Sequence, residues 1–362
     1  MDYDAIEKGF QAFLVQSQVF TPSQLRRLVQ VSSALVLAGR CQVRQLARWL
    51  RRQATQPSRM QWLRRLLDAD FLQPDYAYEP VLQGVLSRNR EAVWHIIMDR
   101  THVVGWDEDV VMLSLSYRKR SLPLVWVRIR PGRATTECVL RLLERSLRLI
   151  PSDVQVIFQR DSEFAHVAIL RWLRDHGWDF IGGQSGQRHF WYPGQEQSQA
   201  LNSLTLKPGQ HRAIAHALIG QQHPFGDVNL YLFYQPHRCD PSQPSREVEY
   251  VATSLPLSRL IKTLGKRRWG IECLFQDWKS AGWDIEASYL EQPKRRDSLL
   301  TLLALAYLWL TLIGRWLCKT GQRRLVDNQP KRHLSLFHIG WDWLIFQSRC
   351  GRDSPHLSTL SF

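Results

Sequence analysis

The 362-residue chain has few cysteines, at positions 41, 138, 239, 273, 318 and 350, and no Cys-x-x-Cys pair among them. That scatter excludes a zinc knuckle and a dense disulfide framework, and it suits a reducing compartment. Acids are scarce beside bases: 33 Asp and Glu against 48 Lys and Arg leave a formal net charge of +15 and a pI of about 9.9. Such a surplus points to a polyanionic partner, nucleic acid first and an acidic membrane surface second. The start, MDYDAIEKGF, is acidic and polar, so no signal peptide is expected. The longest apolar run, LLTLLALAYLWLTLIG at 299–314, falls short of the roughly 20 residues a membrane span takes, so a buried helix is expected rather than a membrane anchor. There is no internal repeat and no low-complexity tract. What is plentiful is apolar side chain, 44% of the residues, enough for a large core divided over two or three domains. The cations are mostly arginine, which grips phosphates and base edges bidentately.

Residues 1–88 read as wholly helical. PSQLRRLVQVSSALVLAG opens with proline in the first turn and stops at Gly39, QVRQLARWLRR follows after a short break, SRMQWLRRLLDADFL carries another apolar stripe, and YEPVLQGVLSR adds one more short helix. Short helices with tight turns and exposed arginines suit a helix-turn-helix-like DNA-binding module, with Arg44, Arg48, Arg51 and Arg52 as its candidate contacts. They equally suit a small helical bundle with a solvated basic face. From residue 92 the period changes. AVWHIIM is an apolar run stopping at Asp99, as a buried strand would; DVVMLSLSY and LPLVWVRI flank RKRS as a hairpin; VQVIF is a strand ending before QRDSEF, and WDFIGG is another. With helices at TTECVLRLLERSLRLI and HVAILRWLRDHG, this makes an α/β layer fold. Residues 183–255 are rich in Gly, Pro, Gln and His and hold short strand-like pieces, NLYLFY and EVEYVATS, so they read as a β-rich insertion.

A long helix is expected over 257–281, containing RRWGIECLFQDWKSAGW. At about 100° per residue, Arg268, Glu272 and Lys279 fall within roughly 40° of one another, beside the apolar Leu264, Ile271, Leu274, Phe275 and Trp278, while Asp277 points elsewhere. Such spacing gives ordinary helical ion pairs, or a metal-ligating acid flanked by phosphate-binding cations. Two more acids follow buried strands, Asp99 after VWHIIM and Asp161 after VIFQR, where catalytic groups of α/β sheets collect. Three converging carboxylates would suit Mg²⁺ or Mn²⁺ and in-line phosphoryl displacement. An aspartate after a strand is also an ordinary turn or cap residue, and Asp107, Asp109 and Asp153 are rivals for the first two places.

The order of elements, the three acids and the helix text together resemble the DDE transposases of insertion-sequence family four, over roughly residues 90–345. Arg268, Glu272 and Lys279 match that family's Y-(2)-R-(3)-E-(6)-K signature in residue and spacing. Asp99 stands in MDRT, similar to its first-acid motif, and Asp161 in RDSEF, similar to a second-acid motif that usually reads Asp-x-Gly-Phe. Gly265 stands in place of the signature tyrosine and Glu163 in place of the usual glycine. The resemblance implies a ribonuclease H-like catalytic core in which Asp99, Asp161 and Glu272 hold two Mg²⁺ (or Mn²⁺) ions, with Arg268, Lys279, Lys266 and Arg267 on DNA phosphates. It also implies a tryptophan of the insertion that stacks on a flipped base in a hairpin route; Trp191 in RHFWYPG is the candidate, and a sheet-core aromatic is the plain alternative.

The expected organisation is a helical DNA-binding domain at 1–88, a ribonuclease H-like core at 89–182 and 256–318, a β-rich insertion at 183–255, and a helical C-terminal, dimerising region at 319–362. About 110 residues between Asp161 and Glu272 are more than one strand–helix unit needs, which supports the insertion. The function implied is cut-and-paste DNA transposition by endonuclease and strand-transfer steps. Its partners would be double-stranded DNA (terminal inverted repeats and target) and a second copy in the synaptic complex, in a prokaryotic cytoplasm, nucleoid-associated when bound. The alternatives are a catalytically inactive, transposase-derived DNA-binding protein, and a membrane-associated basic protein using residues 299–314.

Overall fold

A computed structural model describes residues 3–221, 223–234, 248–258 and 260–350. Its chain contacts define two compact units, one of residues 1–90, 101–110 and 273–362, the other of 91–100 and 111–272.

The first unit is helical. Its N-terminal part holds α1 (Tyr3–Val15), α2 (Pro22–Ala38), α3 (Val43–Trp49), α4 (Gln56–Leu67), α5 (Pro74–Ala77) and α6 (Glu79–Leu86). Thr21 starts α2 with a reciprocal capping box to Gln24, Pro22 fills the first turn, and Gly39 ends it at φ 62°, a left-handed conformation glycine adopts freely. The apolar run lies in α11 (Pro293–Lys319), and α12 (Leu336–Cys350) packs on it. A Cβ on Gly314 would lie 1.9 Å from the Leu336 carbonyl oxygen, and one on Gly340 2.0 Å from that of Leu310, so both glycines are needed for this close crossing. The 18-residue apolar window of α11 is 94% buried, with Tyr307 stacked on Phe337 at 5.0 Å and Trp309 edge-on to Phe10 at 4.9 Å. Among the described residues, no disulfide joins one cysteine to another.

The second unit carries most of a ten-stranded sheet. Its strands are β1 (Val93–Val103), β2 (Glu108–Tyr117), β3 (Arg120–Ile129), β4 (Gln155–Arg160), β5 (Asp179–Gln184), β6 (His189–Trp191), β7 (Gln199–Ala200), β8 (His211–Ile219), β9 (Phe225–Tyr234) and β10 (Val248–Thr253). The order is β3-β2-β1-β4-β5-β10-β9-β8-β6-β7. Arg118 and Lys119 both take positive φ (46° and 70°) in the two-residue β2–β3 turn, as a tight hairpin twisted like its strands requires. β1, β4 and β5 run parallel, connected through α7 (Thr136–Leu147) and α8 (Val167–Asp175). β10 turns the sheet antiparallel and joins it to the strands of the 183–255 segment. The mixed α/β class is therefore as expected, with the hairpin strands β2 and β3 and the parallel strands β1, β4 and β5 forming the β3-β2-β1-β4-β5 half of the sheet.

Two local expectations are corrected. β1 does not stop at Asp99 but runs on to Val103, because β2 continues to neighbour it after the parallel ladder with β4 has ended at Met98. The single helix over 257–281 is broken into α9 (Leu260–Gly265), a 3₁₀ turn Lys266–Arg268, and α10 (Trp269–Trp278), with Lys279 in the turn beyond. Two glycines, 265 and 270, bracket the tightened turn and lower helix propensity there. A Cβ on Gly270 would lie 2.8 Å from the Arg120 carbonyl oxygen, so glycine lets the start of α10 rest on the start of β3.

Candidate active site

The parallel register places the first two acids. Met98 pairs with Arg160 in the last rung between β1 and β4. Asp99 and Asp161 are the residues immediately past that rung, one on each strand. Both continue the face of Ile97 and Gln159, since side chains alternate along a strand. Asp161 caps a short 3₁₀ turn, Ser162–Phe164, its carboxylate accepting from the Ser162 amide at 2.6 Å. The buried Arg160 guanidinium donates to the Gly183 carbonyl (3.0 Å) and the Asp161 carbonyl (3.3 Å), which fixes the backbone as it leaves β4.

The third acid arrives on α10. Gln159 donates its amide to the Leu264 carbonyl at 3.0 Å, tying the end of α9 to the strand that leads into Asp161. Gln159 also meets His95 Nδ1 at 3.1 Å. Burial, and then the Arg267 charge, push His95 down to about 4, so the ring is neutral at physiological pH. From this anchored turn Arg268 reaches out: Nη1 donates to Asp99 Oδ2 at 2.5 Å and Nη2 to Glu272 Oε1 at 2.5 Å. One guanidinium thus joins a carboxylate of β1 to one of α10. Asp99 is pushed up to about 6, chiefly by burial; Arg268 and the Arg100 amide pull it down, and Asp161 and Glu272 push it up. The other two acids, Asp161 and Glu272, are therefore within electrostatic reach of Asp99.

Hard carboxylate oxygens of this kind fit a divalent cation. Among the described residues, however, no three His, Cys, Asp or Glu groups stand at metal-ligand spacing, and the cation between Asp99 and Glu272 is Arg268. The donor chemistry fits a metal; the geometry is that of an acid pair closed on an arginine.

The other expected residues are placed as follows. Lys266 and Arg267 are exposed in the 3₁₀ turn beside Arg268. Trp191 is half-buried on β6, in register with Leu218. In the helical unit Lys279 pairs with Glu286 at 3.1 Å and donates to the His102 carbonyl. Arg44, Arg48, Arg51 and Arg52 are all exposed. Arg48 donates to Gln45 at 3.0 Å, Arg51 pairs with Asp4 and, at 3.9 Å, with Glu7, and Arg52 lies 4.7 Å over the Trp62 ring. The rivals lie elsewhere: Asp107 is a left-handed turn residue, Asp109 is buried against His102 Nδ1 at 2.7 Å, and Asp153 is an exposed turn residue. Trp269, 58% exposed between Arg268 and Glu272, was not singled out from sequence. The available signal was an aromatic next to the polar arc of an amphipathic helix.

A sheet that presents two acids just past one parallel rung, with a third on a helix held beside them by an arginine, defines an α/β protein with an acidic centre at the carboxyl ends of its strands. The family described as "Transposase DDE domain" matches residues 94–309, a span that includes all three acids, and the chain belongs to that family. Its members are generally dependent on divalent metal. No curated protein matches the sequence significantly. Among solved structures, the piggyBac transposase synaptic complex with hairpin DNA is similar at 9% identity and a TM-score of 0.41, over 98% of this chain and 76% of that one.

Proposed function

We propose that this protein is a cut-and-paste transposase of the insertion-sequence family four type, cleaving DNA at the element's ends and joining it to a target. The observation that carries the reading is the Arg268 guanidinium spanning Asp99 and Glu272, groups from opposite ends of the family match. In this reading Asp99, Asp161 and Glu272 supply carboxylate oxygens to two Mg²⁺ or Mn²⁺ ions. The metals would supply a lowered pKa for the attacking water or 3′-hydroxyl and neutralisation of charge on the phosphoryl group. Arg268 turns from the acids to a phosphate oxygen, which its fork matches equally well. Lys266, Arg267 and Lys279 contact neighbouring phosphates. Trp191, or the more exposed Trp269, stacks on an unpaired base at the cleaved end. The N-terminal helices bind the terminal inverted repeats, two copies pair the two ends, and the setting is a prokaryotic cytoplasm.

The test is cleavage of a labelled duplex carrying the element's own terminal repeats, with Mg²⁺ or Mn²⁺. Wild type should cut, and Glu272→Gln should cut about 10⁴-fold more slowly while binding the duplex as well. Cleavage retained in Glu272→Gln sinks the assignment. Binding without cleavage by wild type would favour the second reading, a transposase-derived DNA-binding protein, to which Gly265 in the signature position also lends support.

A further inference from the structure

Glu163 departs from the family's second-acid motif, where glycine is usual, and the fold gives it a definite task. It lies in the 3₁₀ turn capped by Asp161, two residues past that acid. Its carboxylate takes the Nε of Arg100, the residue directly after Asp99, at 3.0–3.1 Å. The same carboxylate accepts from the Ala134 amide at 3.4 Å, while its backbone carbonyl accepts from Arg133 at 3.3 Å. Arg100 in turn donates through Nη1 to the Gly132 carbonyl at 2.5 Å, and its own amide donates to Asp99 Oδ1 at 2.8 Å. Both side chains are about one-quarter exposed, at 28% and 22%. Three chain segments, the continuation of β1, the turn after β4 and the loop from β3 to α7, are thus stitched at one ion pair.

The location gives the pair its consequence. The β1–β4 ladder ends at Met98–Arg160, so no backbone rung joins the strands where Asp99 and Asp161 project. A charge-assisted pair one residue past the first acid and two past the second spans that gap. We propose that the Arg100–Glu163 pair is a positioning device that sets the separation of Asp99 and Asp161, and with it the affinity of those carboxylates for divalent cation. Neither residue is a ligand; both act through the acids they flank, much as outer hydrogen bonds orient the ligands of a metal centre. This inference rests on the metal-binding role proposed above for the two aspartates.

The test is Mn²⁺ affinity of the full-length protein without DNA, read from the electron paramagnetic resonance signal of free Mn²⁺. Wild type is compared with Glu163→Gln, Arg100→Gln, the double variant and Asp99→Asn. Each single variant should bind Mn²⁺ about tenfold more weakly. The double variant should be no weaker than either single one, since all three delete one pair. Singles within twofold of wild type, with Asp99→Asn strongly impaired, would overturn the positioning role and reduce the pair to a stitch; so would losses that multiply in the double variant. Should Glu163→Gln not fold, Glu163→Asp keeps the charge with a shorter reach, and an unchanged Mn²⁺ affinity there would equally overturn it. Equal Mn²⁺ binding by wild type and Asp99→Asn would instead remove the metal-binding reading, and the clamp with it.

Discussion

Arg268 and Arg51 are each held by two carboxylates, yet their surroundings differ. Arg51 meets Asp4 and Glu7 on α1; its own side chain is 48% exposed and that of Asp4 60%. Arg268 meets Asp99 and Glu272 with all three side chains below 30% exposed, and Asp99 lies 169 positions away in sequence. Solvent screens the first arrangement, and such surface pairs contribute little. The second was assembled by a sheet register, a helix start and a backbone anchor from Gln159. Desolvated charges of that kind are costly to bring together and costly to break. The same three-charge motif is therefore surface decoration in one region and a constructed site in the other.

The strongest way to break this contrast is to truncate both arginines. Arg268→Ala should lower single-turnover cleavage by about 10²- to 10³-fold, and Arg268→Lys should recover little, since an ammonium lacks the fork that spans two carboxylates or grips a phosphate. Arg51→Ala should leave the rate unchanged. Equal, small losses in the two would show that the Arg268 arrangement is also a surface pair.

A second contrast is in the sign of the pH dependence. Burial holds Asp99 near 6, above its unfolded value of 3.8. The folded chain then binds more protons than the unfolded one between about pH 4 and 6, so stability falls as pH rises through that window, and the full loss stands above it. A shift of about 2 units corresponds to roughly 3 kcal/mol. Without divalent cation, the melting temperature of wild type should therefore fall by several degrees relative to that of Asp99→Asn between pH 4 and pH 7.5. Parallel curves across that range would show that Asp99 is not desolvated. Asp4 has the opposite sign: its hydrogen bond to Arg51 lowers its pKa, so its contribution is present at neutral pH and lost on acidification.

The constructed site was largely legible in sequence because its parts announce themselves locally. Asp99 and Asp161 follow apolar runs that can only be buried strands, and Glu272 sits on a helix whose apolar face is Ile271, Leu274, Phe275 and Trp278, all buried. What stayed hidden depends on pairing between distant segments. β1 passes through Asp99 because β2 accompanies it, which no period in VWHIIMDRTHV reveals. Glu163 has a purpose only once the turn after β4 lies beside Arg100. Asp277, read as simply facing away from the acid arc, is in fact buried, accepting from the Tyr307 hydroxyl at 3.4 Å in the helical unit. Gly265 is the reverse case. It stands where the signature has tyrosine, and a Cβ there meets nothing within 4 Å, so a side chain can leave the backbone at this position without a clash at its first carbon.

The smallest expected effects belong to the arginines around α3. Arg44 and Arg48 project from one helical face four residues apart and meet no carboxylate in the pairs above, whereas the Arg51 charge is already answered by Asp4 and Glu7. If this face binds DNA, each phosphate contact releases condensed counterions, and the salt dependence counts the contacts. Arg44→Ala with Arg48→Ala should weaken binding to a terminal-repeat duplex and flatten the plot of log affinity against log salt by about 2. Arg51→Ala should flatten it by much less, because freeing Asp4 and Glu7 removes a neutralised cation rather than a phosphate contact. A titration over several salt concentrations distinguishes the two. An unchanged slope when Arg44, Arg48, Arg51 and Arg52 are all replaced by alanine would leave the helices around α3 as a packed bundle with a solvated basic face and move the DNA-binding surface elsewhere.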